Sequence, residues 1–143
     1  MKKSFLSLLL LVLISSCVSV NKSFEDYYWR LVAIEGEGVP TFEKTLLSNK
    51  NAYISFQGNN RITGFTSCNT INGKFSREKN VTHFLGVVTT KNKCSADKMK
   101  IEKNFILFLK QSEYMIVNRD NLTIYNENMD IILVFKKEVL PVK

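Results

Sequence analysis

The chain has 143 residues, 20 of them basic and 13 acidic, for a formal net charge of +7, and 45% are hydrophobic. That length supports one domain with one core, and no Pro-, Gly- or Ser-rich stretch and no internal repeat divides it. The lone histidine, His83, and three cysteines without a CxxC pair argue against a Cys/His metal site, and no Gly-rich phosphate loop is present.

Met1-Lys2-Lys3 opens the chain, an apolar run from Phe5 to Ile14 follows, broken only by Ser7, and then Ile14-Ser15-Ser16-Cys17. A charged start, a short apolar region and a small-residue cleavage site are the parts of an export signal. Its last four residues fit the lipobox, a branched aliphatic, two small residues and Cys. The Cys17 thiol takes a diacylglyceryl group, the small residues let the protease close on the bond, and the new terminus takes a further acyl chain such as palmitate. The apolar run is about half of the ~20 residues a membrane span needs, whereas two or three acyl chains give stable attachment. Residues 1–16 are therefore expected to be a lipoprotein signal peptide and 17–25 a lipidated N-terminus and tether, with the domain over 26–137 and a tail at 138–143. Val18-Ser19 lacks the Asp that holds many lipoproteins at an inner membrane, so the expected address is the cell envelope, with an outer membrane facing the periplasm favoured. That compartment argues against nucleic acid.

Tyr27 to Ala33 is aromatic and β-branched, as strands prefer, and Gly36, Gly38 and Pro40 end it. Ala52 to Phe56 alternates, Gly58-Asn59-Asn60 turns the chain, and Arg61 to Ser67 returns as a hairpin partner. Asn69 to Asn72 reads as a turn, Gly73 to Ser76 as an extended segment and Thr82 to Val88 as a further strand. Ser95 to Gln111 changes period: Ile101, Phe105, Phe108 and Leu109 share one helical face, Ser95 suits the N-cap and Asp97 the first turn. Tyr114 to Val117, Leu122 to Tyr125 and Ile131 to Lys136 close the chain as a three-strand meander with turns at Asn118–Asn121 and Asn126–Asp130. The expected fold is mainly β with one α-helix: a small antiparallel, cracked β-barrel with the helix packed across its gap before the C-terminal meander.

Gly64-Phe65-Thr66-Ser67-Cys68-Asn69, with Gly73 and Phe75, resembles the G-x-x-G-C-N-x-x-x-G-x-[YF] signature of META domains, the family of HslJ-like heat-shock lipoproteins. Thr89 to Cys94 resembles the second signature, T-[RK]-x-x-C, with Thr90 as its threonine; Glu102 and Phe105 resemble the helical E-x-x-F. Trp29-Arg30-Leu31 and Ile131 to Phe135 resemble the opening and closing strands. Ser67 departs from the pattern, standing where a Gly usually precedes Cys68, and Asn92-Lys93 replaces a more apolar pair. The resemblance implies a small antiparallel barrel with a helix, similar to the pilot lipoproteins of secretins, and it implies no enzymatic activity and no cofactor.

Two groups of residues are candidates for function. With Cys17 lipidated, Cys68 and Cys94 are an even pair in an oxidising compartment, which suggests a disulfide; two buried free thiols are the alternative. Asn69 and Thr90 beside them read as turn fasteners ahead of any redox role. Trp29, Phe56, Phe84, Phe105 and Phe108 could line a pocket for an acyl chain, or simply fill a core. Lys91, Lys93, Lys98, Lys100 and Lys103 form a basic cluster suited to anionic headgroups or an acidic partner, or a solvated helix face. Asp26, Glu35, Glu37 and Glu43 lie in surface-like segments and read as solvated charges. The function expected is that of a monomeric, non-enzymatic, membrane-anchored lipoprotein that serves envelope maintenance or stress tolerance through an envelope protein partner. The alternative is a carrier or sensor of a hydrophobic ligand.

Overall fold

Alternating burial builds the strands. In β1 (Tyr28–Ile34), Trp29, Leu31 and Ala33 turn inward between half-buried Tyr28, Arg30 and Val32, and a register shift against the last strand between Leu31 and Ala33 lets Ile34 turn inward as well. The computed structural model describes residues 24–35 and 52–139; the signal segment, Cys17, most of the tether, Glu37, Glu43 and residues 140–143 lie outside them. After β1 come β2 (Tyr53–Gln57), β3 (Arg61–Phe65), β4 (Thr70–Glu78) and β5 (Val81–Thr89), then the helix α1 (Ala96–Lys110), then β6 (Tyr114–Asn118), β7 (Asn121–Tyr125) and β8 (Ile131–Glu138).

The eight strands form one antiparallel sheet in sequence order, and β8 returns to pair with β1 from Tyr28↔Glu138 to Ile34↔Leu133. This corrects the expected cracked barrel with the helix across its gap: the ladder is continuous from each strand to the next, first and last included. Continuity depends on the register between the two strands most distant in sequence, which local pattern does not report. The narrowest seam is β5–β6, where Val81 and Tyr114 alone pair in register, supported by Thr82 N–H to Glu113 O (2.9 Å) and Met115 N–H to Asn80 O (2.8 Å).

Two boundaries also move. Strand β3 ends at Phe65 and β4 begins at Thr70, because Thr66–Asn69 makes the turn and frees Thr70 to pair with Phe65. Ser95 takes the extended conformation of an N-cap, but its side chain makes no capping bond; Asp97 in the first turn and Lys110 in the last complement the helix dipole.

The helix touches β5 and β8, three places apart in the strand order, so it lies across one end of the sheet rather than along one wall. Its buried residues Ile101, Phe105, Phe108 and Leu109 join the core made by the inward strand residues, and the Phe105 ring sits 5.8 Å from that of Phe135. The opposite end is closed by a single 3-10 turn, Phe24–Asp26. There the Phe24 ring meets Phe56 edge-on at 5.0 Å, and the Trp29 indole N–H donates to Phe24 O (2.8 Å). The Arg77 guanidinium lies 4.7 Å over the Phe24 ring, and burial lowers its pKa from the ordinary value. The two ends are distinct because Phe56 pairs with Ile62 at the start of β3, while α1 reaches the turn that follows the end of β3.

Since Phe105 is fully buried where helix and sheet meet, Phe105→Ala should cost about 3–5 kcal/mol. Urea unfolding followed by far-UV circular dichroism would read this as a lowered midpoint at an unchanged slope.

Candidate functional site

The family-like residues converge on the turn between β3 and β4. Thr66, three residues ahead of Asn69, has the spacing of a side-chain turn. Its amide donates to Asn69 O (2.8 Å), and its hydroxyl oxygen accepts the Asn69 amide (2.9 Å). The loop between β5 and α1 comes alongside, with Thr90 N–H donating to Thr70 O (3.1 Å) and Thr70 N–H to the Thr90 hydroxyl (3.2 Å).

Asn69 is the hub. It is almost fully buried, and each side-chain atom is used. Its Oδ1 accepts the Thr90 hydroxyl (2.7 Å) and the Asn92 amide (2.8 Å). Its Nδ2 donates to Asn92 O (3.2 Å) and to Glu102 Oε1 on the helix (3.1 Å). The other Glu102 oxygen meets the Thr66 hydroxyl, whose one proton also faces Asn69 O. One amide side chain therefore joins a turn, a loop and a helix. The structure also pairs Cys68 with Cys94 in a disulfide with Cα atoms 5.9 Å apart, which ties the same turn to the residue before the helix N-cap. In the chain-entropy picture a loop of this length contributes ~3.5 kcal/mol.

Gly64 and Gly73 stand in their strands for a steric reason. A Cβ on Gly64 would stand 2.3 Å from Tyr53 O, and one on Gly73 would stand 3.2 Å from both Leu85 O and the Val87 Cα. Ser67 keeps a glycine-like backbone in spite of its side chain: its φ is +82°. It is 3% exposed, and its hydroxyl oxygen has no hydrogen-bond partner. The departure from the family pattern therefore leaves the turn in place but strained, with an unsatisfied hydroxyl inside it.

The candidate residues fall into two groups. Gly64, Cys68, Asn69, Thr90, Cys94 and Glu102 gather at this clasp of turn, loop and helix, whereas Gly73 lies farther along β4, paired with Ile62. Trp29, Phe56, Phe84, Phe105 and Phe108 are distributed through the core, packed on one another and on Phe75 and Phe135, as in the 5.1 Å edge contact of Phe56 with Phe75. Sequence reasoning did not single out Thr66 or Asn92. Thr66 carried the turn spacing as a signal; Asn92 enters through its backbone, which no side-chain pattern announces. Outside the clasp, His83 Nδ1 lies 3.6 Å from Glu113 Oε2 on the surface. Among the described residues no group of three His, Cys, Asp or Glu side chains could hold a metal ion, and no helix is long and apolar enough to cross a membrane.

The clasp's chemistry is that of a fastener. Its sulfurs are in a disulfide, so no thiolate is on offer, and its one carboxylate is engaged by Thr66 and Asn69.

A META domain model matches residues 22–139. No curated protein matches the chain in sequence. Among solved structures, the chain is similar to a protein from Burkholderia xenovorans, determined by NMR, with TM-score 0.64 and 17% identity over 82% of this chain and 85% of that one. It is also similar to the crystal structure of a DUF4847 family protein from Bacteroides vulgatus, with TM-score 0.61 and 17% identity over 85% of this chain and 99% of that one. These likenesses are of fold.

Two substitutions separate support from strain. Asn69→Ala removes the Asn69 partner of one Glu102 oxygen and of both backbone groups of Asn92, and should cost about 2–4 kcal/mol with the disulfide intact, measured by non-reducing urea denaturation. Ser67→Gly should stabilise by about 1–2 kcal/mol, since it relieves the left-handed backbone and removes the unpaired hydroxyl. A higher thermal midpoint at equal disulfide content is the expected reading.

Proposed function

Given that this chain belongs to the META domain family, we propose that it is a non-enzymatic lipoprotein that is anchored through Cys17 and works by protein contacts in envelope maintenance or stress tolerance. The observation that carries this reading is the mutual engagement of the family residues: the polar side-chain groups of Asn69, Thr90 and Glu102 are bonded to one another, to the Thr66 hydroxyl or to backbone. A side chain whose bonding capacity is spent inside the fold does not recognise a ligand. What remains for function is the outer surface and the attachment at the N-terminus.

The competing reading, a carrier of an acyl chain, needs the interior to be hollow. The mutual ring contacts of Phe24, Phe56, Phe75 and Phe84 at one end, and of Phe105 and Phe135 at the other, favour a filled interior. An acyl chain would have to displace several of these rings at once.

Both parts of the proposal are open to measurement. Native mass spectrometry of a soluble form starting at Val18, without reductant, should give a bare mass two hydrogens below that of the reduced chain. A retained lipid-sized adduct would favour the carrier instead. For the anchor, Cys17→Ser in the full chain should abolish incorporation of labelled acyl groups and leave the signal segment uncleaved. Unchanged labelling and processing would refute attachment at Cys17.

A further inference from the structure

The helix carries five successive apolar residues, Phe105-Ile106-Leu107-Phe108-Leu109. A surface helix needs one apolar stripe, and an all-round apolar segment belongs in an interior. Here Phe105, Phe108 and Leu109 enter the core, whereas Leu107 faces outward at 44% exposure and Ile106 is half-buried. One turn from the N-terminus, Met99 is 48% exposed. Ala96, Met99, Ile106 and Leu107 follow one another at helical spacing and line a shallow surface groove together with Lys100, Lys103 and Lys110.

The charge of this outer stripe is one-sided. Its lysines are joined nearby by Lys91, Lys93 and Lys98, while the carboxylate that lies among them, Glu102, is turned to Asn69 and Thr66. Asp97 is the other acidic residue of the helix, in its first turn. An apolar strip edged by cations fits an apolar strip edged by anions.

Two classes of surface offer that complement, an anionic membrane and an acidic protein segment, and the architecture favours the second. The described chain begins at Phe24, in the 3-10 turn that closes the end of the sheet opposite α1. Six residues separate Phe24 from Cys17, and the seven steps between the two reach at most ~25 Å. Attachment at Cys17 therefore holds the Phe24 end toward the membrane and turns the outer face of α1 away from it.

We infer that the outer face of α1, with Met99, Ile106 and Leu107 as apolar anchors and Lys103 and Lys110 as the cationic edge, is a docking surface for an acidic amphipathic helix of a partner protein. The inference deepens the protein-contact reading, on which it rests, by naming the surface and the chemistry of the partner. Helix-in-groove recognition reads a partner through anchors at i, i+3/4 and i+7, the spacing that Met99, Lys103, Ile106 and Lys110 present.

The test uses the complete lipidated chain in neutral nanodiscs and two synthetic helical peptides with the same leucine seam, one flanked by glutamates and one by lysines. Titration by fluorescence anisotropy should show binding of the glutamate peptide at least tenfold tighter than of the lysine peptide, and the difference should shrink as salt rises. The double variant Lys103→Glu/Lys110→Glu should reverse the preference, and Leu107→Ser should weaken the glutamate peptide about fivefold or more. These positions are exposed, so unchanged thermal midpoints will show that the variants are folded. Equal binding of the two peptides, or indifference to charge reversal, would overturn the inference. So would a Val18 soluble form that binds phosphatidylglycerol vesicles through these lysines more tightly than the glutamate peptide, since that assigns the face to lipid. A failure of this kind with a bare native mass removes the surface while leaving the protein-contact reading in place; a lipid-sized adduct removes the reading itself.

Discussion

The bonding of one amide side chain organises one end of this domain. Asn69 has two donors and two acceptor sites, and it spends them on Thr90, on both backbone groups of Asn92 and on Glu102. No aspartate could take its place, because the Nδ2 that reaches Glu102 would become an oxygen facing a carboxylate. A glutamine's extra methylene would move the amide out of place against all of these partners at once. The glycines answer a separate constraint, the close approach of the β2–β3 and β4–β5 backbones that Gly64 and Gly73 permit.

The disulfide and the amide hub tie the same two segments by different physics. The covalent tie acts on the unfolded chain by limiting its freedom, whereas the hub acts on the folded chain and depends on water being kept out. The clasp therefore has one part that persists when the fold opens and one part that forms only when it closes. This division gives the helix a fixed starting point, from which its inner face can be aimed at Phe135 and its outer face at solvent.

Much of the fold could be read along the chain, for reasons that differ by element. The helix announced itself through the spacing of Ile101, Phe105 and Phe108, and all three are buried together. The hairpin turn at Asn59–Asn60 was visible because both residues adopt positive φ, which asparagine tolerates. The start of β4 was misplaced because Asn69 to Asn72 has turn composition, while the actual turn is set by bonds from Thr66 that composition does not record. The continuity of the sheet from β8 to β1 was not legible, since no local pattern specifies the pairing of Tyr28 with Glu138. At the clasp, Asn69, Thr90 and Glu102 could be grouped by family likeness, but their mutual bonding appears in three dimensions alone, and the role of Asn92 lies in its backbone.

The 3-10 turn at Phe24 has a mechanical consequence. Any force applied through the N-terminal residues enters the domain at Phe24, which is held by the Trp29 indole and by the rings of Phe56 and Phe75. From there it passes into β1, which lies between β2 and β8 and is bonded to both. A pull directed out of that end therefore reaches the ladders on the two sides of β1 before any other strand pair. The clasp and the helix at the far end are left out of that load path.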